Sequence, residues 1–286
     1  MTLCCKVVIL TQVMKLNISK KRTIYFKGKN TVKNGSLCLN NKNSNLKLLN
    51  FEYIRLKASR KIFKKFENHE TVIVLLKGKC LISTKSKKYI LGHRKDVFSA
   101  KSHSLFIPPE IPFFLDSLDL ATEISIITTP VKYNKNKIVK EIADGKIRVQ
   151  KVGKGIYERK VHTLIGPDFR EKRSHLLVGE TFNKGGKWSS FPPHKHMRNN
   201  LPNETRYEEI YFFKVNPSDK FGFIRIYNQR EDNVYCIKDN DCAIVTDGYH
   251  PVCAVPGSTV YYLWAMVGKS AKVINNYDNS FHNISM

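Results

Sequence analysis

Apolar residues in this chain come in short runs closed by glycine or proline, a spacing that leaves little room for helices. Thr71-Val72-Ile73-Val74-Leu75-Leu76 ends at Lys77-Gly78, and Ser104-Leu105-Phe106-Ile107 ends at Pro108-Pro109. Phe51 to Leu56, Cys80 to Thr84 and Glu123 to Thr129 have the same texture. Short runs bounded by turn formers are the pattern of strands in a barrel or sandwich. The style recurs from about Val149, in Phe221 to Tyr227, Val234 to Ile237, Ala243 to Thr246 and Thr259 to Val267. With 286 residues, 42% of them hydrophobic, the chain can bury a substantial core, and two barrels fit its length. The expected organisation is a basic, poorly ordered extension over residues 1–46, in which Met14 is a candidate start, then a first barrel over 47–131. A Lys/Asn-rich linker over 132–148 leads to a second barrel over 149–286.

The residues that carry chemistry sit in the second block. His194-Lys195-His196 follows Trp188-Ser189-Ser190-Phe191-Pro192-Pro193, and on a strand His194 and His196 point the same way while Lys195 points away. In Glu208-Glu209-Ile210-Tyr211-Phe212-Phe213 the paired carboxylates fall on opposite faces, so only one looks inward, and Glu209 is chosen. His250 follows the alternating stretch Asp241 to Val245 and a turn at Asp247-Gly248, which suits a neighbouring strand returning to the same depth. Three imidazoles and one carboxylate then converge on one divalent ion. Such a set suits Zn, Mn, Fe, Co or Ni and leaves positions open for water or substrate. A lone histidine would be read as a satisfied core or surface residue; four candidates together reverse that reading.

The motif resembles a known family, the bicupin isomerases that include 5-deoxy-glucuronate isomerase of inositol catabolism and, more distantly, 4-deoxy-L-threo-5-hexosulose-uronate ketol-isomerase. The resemblance rests on Trp188 to His196, Asn200-Leu201-Pro202, Glu208-Glu209-Ile210-Tyr211, Phe221-Gly222-Phe223, Arg225, Tyr227, Gly248-Tyr249-His250-Pro251-Val252, Pro256-Gly257 and Tyr261-Tyr262-Leu263. It runs from about Leu49 to Lys269, more faintly before Gly153. It implies an all-β fold of two tandem cupin (jelly-roll-like) β-barrels, a bicupin, with His194, His196, Glu209 and His250 as metal ligands. Met197 stands where the family has Asp, and Asn240 stands where it has Gly. Asn tolerates a left-handed turn, so that second departure costs little. In the first block Phe113 falls where a ligating His would stand, so that barrel is assigned a packing role.

The chemistry the resemblance implies is conversion of 5-deoxy-glucuronate to 2-deoxy-5-keto-gluconate, an aldose–ketose isomerisation with no redox cofactor. It requires a group that moves a proton between neighbouring carbons. Tyr211 and Tyr262 are candidates, weighed against core tyrosines with satisfied hydroxyls. Arg225 is a candidate clamp for the substrate carboxylate, weighed against a surface ion pair. Two other readings remain open: a cupin that binds a sugar acid or metal without turnover, and an iron-dependent oxygenase on the same scaffold.

The formal net charge of +25 raises nucleic acid as a partner, but the distribution argues against it. Residues 1–50 carry ten Lys/Arg and no Asp/Glu, whereas residues 186–286 are nearly neutral, and no recognised nucleic-acid motif accompanies the charge. Seven cysteines without a Cys-x-x-Cys pair point to reduced thiols and a cytoplasmic location. Val7-Val8-Ile9-Leu10 is too short to span a membrane. The expected partner is a small-molecule sugar acid, with neither nucleic acid nor membrane involved and assembly into a homo-oligomer left open.

Overall fold

A computed structural model describes residues 24–32, 35–58, 60–132, 138–169, 174–270 and 272–284. The fold is all-β, and its strands close two barrels that pack back to back. The second barrel combines two antiparallel sheets. One runs in the order Tyr25–Phe26, Cys242–Val245, Tyr207–Asn216, Thr259–Gly268, Leu176–Lys184, Arg159–Ile165, Arg148–Val152; the other is Trp188–Ser189, Val252–Ala254, Gly222–Tyr227, Asp232–Ile237. The first barrel is organised around His69–Thr84, a strand long enough to pair with Ala121–Pro130 and Ser104–Ile107 along one half and with Lys88–Arg94 and Phe113–Ser117 along the other.

Each barrel has its own interior cluster, Ile73, Leu75, Ile82, Leu91, Phe113 and Ile124 in the first, Tyr211, Phe213, Ile224, Ile226, Val252 and Tyr262 in the second. A third cluster lies between the barrels. There Phe51, Tyr53, Val72 and Phe106 of the first meet Ile210, Phe212, Tyr261 and Leu263 of the second. Phe212 stacks on Tyr53 at 4.9 Å and tilts against Phe51 at 5.5 Å. Alternation explains both burials: along Tyr207–Asn216 the odd positions Tyr211 and Phe213 enter the second barrel, while Ile210 and Phe212 enter the interface.

Two sequence expectations change here. Residues 1–23, including Met14, lie outside the described residues, but the stretch to 46 is structured from Ile24 onward. Tyr25–Phe26 adds to the edge of the second barrel's larger sheet beside Cys242–Val245, and Ser36–Leu39 then pairs with Asn50–Lys57 in the first. Leu37, Leu39 and Leu46 are buried in the shared core. The strands involved are too short to stand out against a Lys/Asn-rich background; Tyr25 is held instead by its hydroxyl, which donates to Asp241 at 2.6 Å. The expected linker over 132–148 also contributes structure. Lys140–Ile142 pairs with Ser104–Ile107, and Ile142 and Ile147 reach the shared core.

Buried ionic groups fasten the two barrels together. Glu70 accepts from the Ser174 hydroxyl and from the amides of His175 and Leu176 at 2.6–3.0 Å. Arg94 and Glu180, both almost completely buried, pair at 2.8 Å, with the Tyr261 hydroxyl also donating to Glu180 at 2.8 Å. Lys214 donates to Glu123 at 2.6 Å across the interface. Burial alone would raise the Glu123 carboxyl, but Lys214 outweighs it and holds Glu123 below its ordinary value.

A depressed carboxyl stabilises the fold above its unfolded-state value, about 4.3 for Glu, and that contribution disappears as pH falls through the folded value. Glu123→Gln is therefore expected to cost about 2 kcal/mol at pH 7, short of the roughly 3–5 for orphaning a fully buried partner because Lys214 keeps Asp239 at 3.7 Å. Denaturant unfolding across pH should show the difference between variant and parent closing in acid below about pH 4. A gap that stays constant to pH 3 would refute the assignment.

Candidate metal centre

His196, Glu209 and His250 come together inside the second barrel, with one potential ligand atom of each within 4.8 Å of the others. The Glu209 carboxylate lies 3.0 Å from His196 Nε2 and 3.4 Å from His250 Nε2. All three side chains are buried. Glu209 and Glu208 diverge as strand alternation requires. Glu208 turns to the interface and accepts from the amides of Lys47, Leu48 and Leu49 at 2.8–3.2 Å.

The histidines are held by the backbone. Nδ1 of His196 donates to the Tyr207 carbonyl at 3.1 Å and Nδ1 of His250 to the Gly248 carbonyl at 3.1 Å, while His194 Nδ1 faces the Pro192 carbonyl at 3.4 Å. A carbonyl accepts only from an N–H, so in each neutral ring the lone pair is left on Nε2. His250 Nε2 is buried and has no hydrogen-bond partner within the chain. An imidazole nitrogen left bare in this way, facing a carboxylate and a second imidazole, fits a divalent cation. Burial, with His194 and His196 as like neighbours, drives the His250 imidazole well below its usual range. Burial and then His196 push His194 down to about 3. Burial would lower His196 too, but Glu209 reverses the direction and raises it.

His194 stands beside the trio. Its ring lies 4.8 Å from the His250 ring and 6.4 Å from that of His196, but its ligating nitrogen falls outside the three-residue cluster. The expected regular strand through His-x-His is only His194–Lys195, paired with Asn276–Tyr277, and His196 lies beyond its end. Tyr211 is next to the site, its ring 5.9 Å from that of His250 and its hydroxyl 3.2 Å from Ser190 Oγ. Tyr262 packs on Tyr211 at 4.6 Å.

Arg225 is not in the site, which corrects the expectation of a carboxylate clamp. Ile224 and Ile226 point into the barrel, so Arg225 points out; its guanidinium forms a two-pronged pair with Asp232 at 2.7 and 2.8 Å. Sequence reading also missed Glu204 and Ser190. Glu204 accepts from the amides of Met197 and Arg198 at 2.6 and 3.0 Å, fixing the backbone just after His196. Neither residue belongs to a periodic run, so only the folded loop reveals it. Met197 thus takes part through its amide. Asn240 adopts φ +64, the left-handed turn its amide side chain tolerates.

Two jelly-roll barrels in tandem, one of them enclosing a His/Glu cluster, define a bicupin. The fold is shared with an IolB-like protein of Salmonella typhimurium LT2, at a TM-score of 0.84 and 23% identity, over 91% of this chain and 98% of that one. It is shared more loosely with the oxalate decarboxylase of Lactobacillus farciminis, at a TM-score of 0.64 and 9% identity, over 91% of this chain and 89% of that one. Closer in sequence is the 5-deoxy-glucuronate isomerase of Geobacillus kaustophilus, 36% identical over 222 residues, 76% of this chain and 79% of the relative. That of Bacillus subtilis strain 168 is 30% identical over 234 residues, 80% and 85% of the two chains. The KduI/IolB family model matches residues 25–284, and the chain belongs to that family.

Gly248 sets the approach of His250. Its φ is +104, and a Cβ there would meet the Tyr227 carbonyl oxygen at 2.6 Å. Gly248→Ala is expected to lose about 1–3 kcal/mol in chemical denaturation, from positive-φ strain and from the displaced carbonyl that holds His250. Stability equal to the parent would show that this turn does not constrain the site.

Proposed function

We propose that this chain is a 5-deoxy-glucuronate isomerase, converting that aldose acid to 2-deoxy-5-keto-gluconate in inositol catabolism, with one divalent metal held by His194, His196, Glu209 and His250. The observation that carries the reading is the meeting of His196, Glu209 and His250 in a KduI/IolB family chain, with both imidazoles tethered through Nδ1, His196 Nε2 bonded to the Glu209 carboxylate at 3.0 Å and His250 Nε2 without a hydrogen-bond partner. Curated relatives at 30–36% identity bear the isomerase name. His194, whose ring lies 4.8 Å from that of His250, is the fourth ligand in this reading.

When bound, the ion supplies a Lewis acid that polarises a carbonyl and its adjacent hydroxyl and so acidifies the intervening C–H. The chain's own residues do the rest. The backbone carbonyls of Tyr207 and Gly248 keep two imidazoles oriented before substrate arrives, so little reorganisation is needed during the reaction. The barrel interior around Tyr211, Phe213 and Tyr262 excludes water from the reacting carbons. Tyr211 and Tyr262 are the groups we assign to proton transfer between them. The Tyr211 hydroxyl is oriented by Ser190, which belongs to the same segment as the histidines. With both carbons' protons exchanged locally, the redox change stays within one molecule and no second redox partner is needed.

His196→Ala and His250→Ala are each expected to lose bound metal, read by elemental analysis, and to cut ketose formation from 5-deoxy-glucuronate by at least about a hundredfold. A variant without metal and with full turnover would remove the proposed mechanism. Substrate binding with no ketose formed would assign the site to a non-catalytic cupin, and oxygen uptake on turnover would assign it to an oxygenase. Arg225→Ala, on the outer surface, is expected to keep turnover within about twofold of the parent, since its guanidinium touches no group in the site. A drop of ten times or more in kcat/KM would return Arg225 to the substrate.

A further inference from the structure

A second cleft, of about 520 Å³, opens where residues 97–101 of the first barrel face the strands Arg159–Ile165 and Leu176–Lys184 of the second. It shares no residue with the His196, Glu209 and His250 cluster. Its size is that of a small-molecule site. Six basic side chains line it, Lys101, Lys151, Arg159, Lys160, Lys184 and Lys187, against one acidic residue, Glu158.

Three of the six are engaged within the chain. Lys101 pairs with Asp144, Lys187 with Glu158 at 3.2 Å, and Arg159 donates to the carbonyls of Tyr157 and Phe191 at 3.2 and 3.3 Å. Lys151, Lys160 and Lys184 form no ion pair with any described residue. Moreover, Lys151 and Lys160 are directly opposite each other across their two strands. Like charges at directly opposed positions repel, and a sheet keeps such a pair at a cost unless an anion lies between them or beside them.

The wall of the cleft adds an independent observation. His162 is 3% exposed, and both of its ring nitrogens lack a hydrogen-bond partner. Nδ1 has Glu180 3.4 Å away, beyond good hydrogen-bond geometry, and Nε2 has nothing within the chain. A buried polar nitrogen is normally satisfied, and Nε2, which has no carboxylate near it as Nδ1 does, is not.

We infer that the inter-barrel cleft is a binding site for a compact anion carrying at least two negative charges, such as a phosphate monoester or a polycarboxylate. Lys151, Lys160 and Lys184 supply the countercharge, and His162 offers its unpartnered Nε2. The bound anion stabilises the folded chain by mass action. The inference does not depend on the isomerase reading, because it concerns residues outside the metal cluster and is measured by binding.

The full chain would be titrated with sodium pyrophosphate and, separately, with citrate, at ionic strength held constant with NaCl. Binding would be followed by calorimetry and by thermal melting. One-site saturation in at least one arm is expected, with a matching rise in melting temperature; the arm that saturates more tightly identifies the phosphate or the carboxylate class. Lys160→Ala combined with Lys184→Ala, both exposed, should weaken binding tenfold or more, and His162→Phe should weaken it as well. Lys77→Ala with Lys88→Ala, which removes the same charge from exposed positions on the first barrel, should leave the affinity unchanged. Absence of saturation in both arms, or an equal loss in the Lys77/Lys88 control, would overturn the proposal.

Discussion

Burial on both faces of the strand Tyr207–Asn216 governs how this molecule is put together. From Tyr207 to Val215 every residue is buried, yet the run includes Glu208, Glu209 and Lys214. A strand covered on both sides ordinarily reads as a continuous apolar run, because each ion buried without a partner costs several kcal/mol. Here each charge meets a separate partner. Glu208 takes the backbone amides of Lys47 to Leu49, Glu209 faces His196 and His250, and Lys214 reaches Glu123. The two faces thereby acquire different duties, one docking the first barrel and the other building the candidate metal centre.

That arrangement explains what the sequence disclosed and what it concealed. The strands were legible because their signal is local: Thr71 to Leu76 and Thr259 to Val267 are short apolar runs beside turn formers, although the first strand continues through Lys77-Gly78 to Thr84. Alternation likewise made the divergence of Glu208 and Glu209 legible, though not which of the two meets the histidines. The docking of the barrels was not, because Phe212 against Tyr53, or Glu70 against Ser174 and Leu176, joins residues far apart in the chain with no common motif. The N-terminal strand was hidden by length. Two residues, Tyr25 and Phe26, have no periodicity to display, and their place at the edge of the second barrel depends on Asp241 receiving the Tyr25 hydroxyl and the Gly28 amide.

Arg225 is the instructive miss. The segment Phe223-Ile224-Arg225-Ile226-Tyr227 already states its direction, since two β-branched residues flanking an arginine on a strand claim the interior and send the arginine out. The chemistry of Arg225 suits an acid, but its position between Ile224 and Ile226 decides its direction. His194 departs from expectation by a smaller amount. The His-x-His argument assumes a regular strand through three residues, whereas pairing with Asn276–Tyr277 ends at Lys195 and His196 lies beyond it. The loop after it is fixed by Glu204, a polar contact that periodicity does not encode.

The register of Tyr207–Asn216 is held on both edges, by Cys242–Val245 on one side and Thr259–Gly268 on the other. A slip of one residue would exchange the two faces of the whole strand. Glu208 would then enter the barrel in place of Glu209, a swap of identical side chains that does little by itself to forbid the slip. Discrimination must come from the neighbours. Ile210 and Phe212 would leave the interface, where Phe212 packs on Phe51 and Tyr53, and Tyr211 would bring its hydroxyl into an apolar layer while losing Ser190. Lys214 would be carried away from Glu123 into the interior cluster beside Ile224 and Val260, an unpaired charge in an apolar site. Thus the residues that position the carboxylate are the apolar and cationic ones around it, and the candidate metal centre inherits its geometry from the contact between the two barrels.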